Sequence, residues 1–123
     1  MFQNLSKTKD LLNLNRAIAL DRIGGDEELL REIAILFLDD YPNLMGDIRR
    51  ACAAADGKGL ERAAHSLKGS VSNFGADAAQ GASFDLEMLG RNDQMEDASA
   101  ALTKLEKAMD ALLPEMQVLA HRR

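Results

Sequence analysis

Apolar side chains recur at intervals of three and four along most of the chain, so the pattern predicts helices throughout. The longest run begins after Asp26, a good N-cap followed by Glu27 and Glu28, and carries Leu30, Ile33, Phe37, Tyr41, Leu44, Ile48, Ala51 and Ala55. Pro42 lies inside this run and removes a backbone hydrogen bond, yet the apolar phase continues through it. One long kinked helix is therefore expected rather than two. Asp56-Gly57 turns the chain, and a helix follows over Lys58 to Phe74, with Leu60, Ala64, Leu67, Val71 and Phe74 on one side and Gly75 as its C′ residue. Asp77 is expected to start the next helix, which keeps Ala79, Ala82, Leu86 and Leu89 in phase and stops at Gly90. Its small residues permit close approach of a neighbour. After the turn Arg91-Asn92-Asp93, a seam of Ala98, Leu102, Leu105, Met109, Leu112, Met116 and Leu119 has the spacing of bundle helices. Pro114 either kinks this last helix or ends its regular part. Near the start, Asn13 to Ile23 predicts a short helix that ends at Gly24-Gly25.

Four substantial amphipathic helices joined by short turns predict an all-α fold: an antiparallel up-and-down four-helix bundle with a short N-terminal capping helix. A length of 123 residues, 46% of them hydrophobic, suits one core and leaves no room for a second. Residues 1–123 are therefore expected to form a single domain, with 1–25 as N-terminal segment and cap and 26–121 as the bundle. The formal charge of -5 argues against nucleic acid, which demands a basic footprint, and favours a protein partner. Met1 to Asp10 lacks the apolar core of a signal peptide, and no stretch approaches membrane-spanning length. The expected setting is cytoplasmic, without membrane insertion, and a monomer is expected because the four helices can satisfy one another. Cys52 is the single cysteine, with no zinc-site spacing around it, so neither a metal nor a cofactor is expected.

Chemistry enters on the far side of the second long helix. Projected at about 100° per residue, its apolar positions fall in an arc of roughly 80°, and His65 lies about 160° from Leu67. The imidazole should be exposed, with Glu61, Arg62, Lys68, Gly69 and Ser72 around it. An ordinary surface histidine is the bland alternative. Gly69 changes the balance: one turn on, inside a helix, glycine costs about 1 kcal/mol relative to alanine. A missing side chain there lets another protein approach the helix backbone and reach the ring. Lys68, three residues after His65, can bring a positive charge to an anion carried by it. Singly, each of these is an ordinary surface residue. Together they describe an accessible nitrogen nucleophile, a cation and a gap for a docking partner, as phosphoryl transfer in trans requires.

The run Ala64-His65-Ser66-Leu67-Lys68-Gly69-Ser70, followed by Asn73-Phe74-Gly75-Ala76, resembles the signature of histidine phosphotransfer (HPt) domains. Upstream, Gly24-Gly25-Asp26-Glu27-Glu28-Leu29-Leu30 with Phe37-Leu38 and Pro42 is similar to the family's opening helix, and Asp56 falls at its turn before the histidine helix. Downstream, Leu86-Glu87 and Gly90 resemble its next helix and turn. The resemblance implies a phosphoryl group carried on His65 Nε2 between the aspartates of receiver domains, which belong to response regulators or hybrid histidine kinases. It implies that Lys68 helps hold the phosphoryl oxygens and that Gly69 admits the partner, with Gly75 structural. Lys58, Glu61, Arg62 and Ser72 are candidate docking residues. The receiver would bring the magnesium ion and most of the transition-state stabilisation. No glycine-rich phosphate loop is present, so autonomous kinase activity is not expected.

Three other readings stay open on the sequence: a receiver-binding scaffold that is never phosphorylated, an unrelated helical adaptor or dimer using the Ala98 to Leu119 seam, and a histidine-dependent hydrolase. The intact His65, Lys68 and Gly69 disfavour the first, and the glycine opposite the core is unexplained by the second. No serine–histidine–acid set can be assembled for the third. His121 beside Arg122-Arg123 reads as a tail residue, Cys52 as packing, and the acidic residues as spread over several faces.

Overall fold

The computed structural model describes residues 13–121; the expected role of residues 1–12 as part of the N-terminal segment lies outside the described residues. Among these, the chain forms five α-helices: α1 (Arg16–Arg22), α2 (Glu27–Ala53), α3 (Gly57–Ser72), α4 (Asp77–Arg91) and α5 (Ala98–Ala120). A single 3-10 turn, Met95–Asp97, leads into α5. Helices α2 to α5 pack in a ring, each against its neighbours in sequence, and α5 closes on α2. The predicted all-helical bundle with its short cap is the observed fold.

Local chemistry starts three of these helices. The side chains of Asn15, Asp26 and Asp56 each accept a hydrogen bond from the backbone N–H three residues on, at Ile18, Leu29 and Gly59. Asp77 does not act this way. Ala76 is the N-cap of α4, without a side-chain bond, and Asp77 is the first helical residue, where its charge still suits the helix dipole. Both prolines sit inside unbroken helices: α2 runs through Pro42 and α5 through Pro114. Pro42 is exposed, so the carbonyl it leaves without a partner lies on the solvent side of α2.

Boundaries moved in three places. α1 begins at Arg16 rather than Asn13, because Asn13 and Leu14 are held by other contacts described below. α3 ends at Ser72, yet Phe74 is still buried, carried inward by the turn. Ala55 lies outside α2 as an exposed turn residue in the left-handed region (φ 52°), and α2 buries Ala34 and Met45 where Ile33 and Leu44 are only half-buried.

Gly90 is the most instructive correction. It does not end α4, which runs on to Arg91; it is buried where α3 and α4 touch. A Cβ there would lie 2.5 Å from the Gly57 carbonyl oxygen and 2.7 Å from the Glu61 nitrogen, and one on Gly57 would lie 2.8 Å from the Gly90 oxygen. The two helix backbones meet at these glycines, and the α3–α4 seam is correspondingly tight. Leu60, Ala64, Leu67 and Val71 of α3 are fully buried, each leucine contributing about 1.5–3 kcal/mol. This fixes α3 in rotation and so sets which residues it presents outward.

The segment that leads into the cap is tied on two sides. Asn15 N–H donates to the Phe74 carbonyl (2.8 Å), close to Gly75, whose positive φ of 62° and lack of a side chain let Asn15 pack against it. On the other side, Glu115 of α5 accepts from the backbone N–H groups of Asn13 (3.2 Å) and Leu14 (3.1 Å) and from the Asn13 side-chain amide (2.6 Å).

Candidate functional site

Rotation of α3 leaves His65 outward, its side chain 67% exposed, on the edge that borders α4. Three residues of α4 meet that edge at helical spacing: Phe84, Glu87 and Arg91. Glu87 is the centre of the arrangement. Its side chain is only 4% exposed, yet it is a carboxylate, and its neighbours explain how it stays one. Oε2 lies 3.0 Å from His65 Nδ1 and 3.3 Å from an Arg91 guanidinium nitrogen. Oε1 lies 2.7 Å from Lys68 Nζ, an ion pair without an aligned hydrogen bond.

Burial in the seam pushes the Glu87 carboxyl upward, but the Lys68 ammonium and the His65 ring beside it outweigh burial and hold it below its ordinary value. Glu87 is thus ionised at neutral pH. An ionised carboxylate only accepts, so the nitrogen facing it must donate. In the neutral ring Nδ1 then carries the hydrogen, and the lone pair sits on Nε2, which has no partner among the described residues.

Lys68 is held from two sides, by Glu87 and by the ring of Phe84, whose centroid is 5.1 Å from Nζ. Its side chain is 25% exposed, so it lies along the seam rather than reaching into solvent. Arg91 bridges the helices: its Nε donates to Glu61 Oε2 on α3 (2.9 Å) while its other arm meets Glu87. Glu61 in turn holds the Arg91 charge up.

The residues singled out from the sequence divide accordingly. His65, Lys68 and Glu61 come together on the α4 side of α3. Arg62 is exposed on the α2 side, along a groove with Asp47, Arg50 and Ser66, and Lys58 is exposed near the start of α3, about 10 Å along the axis from His65. Ser72 turns its hydroxyl back onto the Gly69 carbonyl (2.8 Å), which occupies its donor within the helix. Gly69 faces open space, with nothing within 4 Å of where a Cβ would stand. Beside it on the α2 side, Ile33, Leu36, Phe37, Ser70 and Asn73 line a shallow cleft in which Leu36 is 65% exposed.

Glu87, Arg91 and Phe84 were not singled out as site residues from the pattern. A usable signal existed for the first: Ala79, Ser83 and Glu87 recur every four residues in the buried phase of α4, and a carboxylate in a buried phase must find cations. Which cations it finds depends on α3 and α4 lying side by side, which no spacing within one helix reveals.

A family model described as Hpt domain matches residues 32–115, which include α3, α4 and all the site residues above. No curated protein and no solved structure matches the chain.

Proposed function

Since the chain belongs to the Hpt-domain family, whose members serve histidine phosphotransfer in phosphorelays, we propose that His65 is its phosphoryl carrier, taking the group from one receiver aspartate and passing it to another. The observation that carries this reading is the 3.0 Å contact between Nδ1 and the buried, ionised Glu87, which leaves the Nε2 lone pair as the free nucleophile of an exposed ring.

The chemistry balances on these atoms. The Nε2 lone pair attacks the phosphorus of a receiver's aspartyl phosphate, the bond from phosphorus to the carboxylate oxygen breaks, and that oxygen leaves with the electron pair as a free carboxylate. The ring becomes a phosphorylated imidazolium that still carries its Nδ1 hydrogen. Glu87 accepts that hydrogen bond throughout and offsets the positive charge that develops on the ring, the part an orienting carboxylate plays beside other nucleophile-linked histidines. Lys68, at the same carboxylate, is the cation nearest to hand for the phosphoryl oxygens. Magnesium and the acidic pocket come from the receiver. The role is that of a phosphoryl carrier rather than a kinase.

The partner surface is read as the open area at Gly69, with the Leu36 cleft of α2 on one side and Phe84 on the other, and with Arg62 and Lys58 as its charged margin. The whole chain is taken as one carrier domain, cytoplasmic and monomeric, with α1 as its cap. Incubation with a panel of phosphorylated receivers tests the reading. Acid-labile label on the parent chain and none on His65→Gln is the expected result. Label that persists on the variant, or that survives acid, overturns it.

A further inference from the structure

Two permanent cations, Lys68 and Arg91, converge on one buried carboxylate, and they do so on different oxygens. Among the described residues, Glu87 Oε1 has Lys68 alone at 2.7 Å, while Oε2 is shared by His65 and Arg91. Their tethers differ as well. The Arg91 guanidinium is pinned from the other side by Glu61 at 2.9 Å, so it is fixed across the seam. Lys68 has a flexible four-carbon stem and, among the described residues, only the Phe84 face and Glu87 Oε1 as partners. Lys68 is the closer of the two to Glu87, but Arg91 alone has a second carboxylate to anchor it, so the two cations differ in what holds them when Glu87 is shared.

Phosphorylation supplies a reason to leave. A phosphoryl group on His65 Nε2 brings close to two negative charges within reach of the Lys68 side chain, three residues on along α3. When the ammonium turns towards it, Glu87 is left with the phosphorylated ring and Arg91, both on Oε2, and a carboxylate 4% exposed draws little on water to make up the rest. Resting on the carrier reading of His65, we propose that Arg91 is a positioning residue: it keeps Glu87 compensated while Lys68 exchanges that carboxylate for the phosphoryl group. Every charged or titratable side chain facing Glu87 enters this account: His65, Lys68 and, through Arg91, Glu61 from α3, and Arg91 from α4 itself. Glu87 then serves two states with one geometry, orienting the ring in both and holding Lys68 only in the first.

The test uses the full chain and phosphoramidate, a small P–N donor that needs no docking partner, with the level of phosphohistidine read by ³¹P NMR. Arg91→Gln should lower the loaded fraction at fixed donor about five-fold, the size expected of one partly screened charge interaction. Arg91→Lys should restore most of it. The diagnostic results come from two backgrounds. With Glu87→Gln there is no charge to hold, and with Lys68→Met there is no ammonium to release. In either background, adding Arg91→Gln should change loading by less than about two-fold, whereas a merely structural arginine would cost the same in all three. The Lys68 side-chain resonances should shift on phosphorylation in the parent chain and stay in place in Arg91→Gln. Should Arg91→Gln not fold, Glu61→Gln loosens the same guanidinium from α3 and should give a smaller loss of the same kind. An undiminished loss in the Glu87→Gln or Lys68→Met background, or equal loading of parent and Arg91→Gln, overturns the assignment to Arg91 alone. A parent chain that takes no label on His65 from either phosphoramidate or receivers overturns the carrier reading beneath it.

Discussion

Glu115 and Glu87 both reach across a helix boundary, and they are satisfied in opposite ways. Glu115 on α5 binds backbone N–H groups of Asn13 and Leu14 and the Asn13 amide, groups that neither titrate nor move independently of the chain. Glu87 on α4 binds an imidazole, an ammonium and a guanidinium, each of which can change charge, partner or place. The first is a clasp. The second holds a nucleophile in one tautomer and a cation in reserve, so the partners a carboxylate has, rather than its burial, separate the structural group from the chemical one.

The largest expected effect divides the two by activity. Glu87→Ala removes the acceptor that orients the His65 ring, and phosphoryl transfer from a receiver should slow by on the order of 10- to 100-fold. Glu115→Ala should leave the rate within about two-fold of the parent. Rapid-quench measurement of label transfer checks both, and an equal loss in the two variants would erase the distinction.

Glycines offer the next division, because the seam that carries Glu87 is tight where α3 meets α4 and open one turn beyond His65. Gly90→Ala drives a methyl group against the Gly57 oxygen and the Glu61 nitrogen, both backbone atoms, and should cost about 1–3 kcal/mol in denaturant unfolding. Gly69→Ala meets nothing and should stabilise the helix by up to about 1 kcal/mol. Gly69→Phe should keep the fold and still slow transfer from receivers at least ten-fold, while loading from phosphoramidate is spared. If unfolding accounts for that loss, the open face is not a docking surface.

Glu115→Ala itself should cost about 1–2 kcal/mol, since it strips acceptors from two backbone donors of which Leu14 belongs to a buried residue. Hydrogen exchange at Asn13 and Leu14 should accelerate first, with α3 and α4 unaffected. That pattern would assign the cost to the cap alone.

The sequence announces the bundle and the outward face of α3 because both are carried by periodicity within single helices. Leu60, Ala64, Leu67 and Val71 fix the rotation of α3, and the position of His65 and Gly69 follows from it without reference to any other element. What a pattern cannot carry is pairing between helices. Glu87 lies 22 residues from His65, and its contact depends on the antiparallel register of α3 and α4 and on the glycine contact at Gly57 and Gly90 that brings them close. Gly90 shows the same limit from the other side: its position in a sequence reads equally as the end of a helix or as a place where two backbones touch, and only the neighbouring helix decides. Ala55 and Met45 are smaller cases: α2 ends before Ala55, which turns outward, and the helix buries Met45 more fully than Leu44.

The smallest effect concerns acid. Glu87 is held below its ordinary carboxyl value in the fold, burial notwithstanding, by Lys68 and His65. A group whose folded value is depressed contributes stability that is fully present above its unfolded value, near 4.5, and is lost as pH falls through the folded one. The stability difference between the parent and Glu87→Gln should therefore hold from neutral pH down to the ordinary carboxylate range and shrink below it, as both proteins come to carry a neutral group at position 87. Other carboxylates, common to both proteins, cancel to first order in the difference. Urea unfolding of the two proteins across acid pH measures it. A difference that vanishes well above the carboxylate range, or that keeps growing below it, would mean that Glu87 is not the ionised partner of Lys68 and His65, and the contrast with Glu115 would then rest on geometry alone.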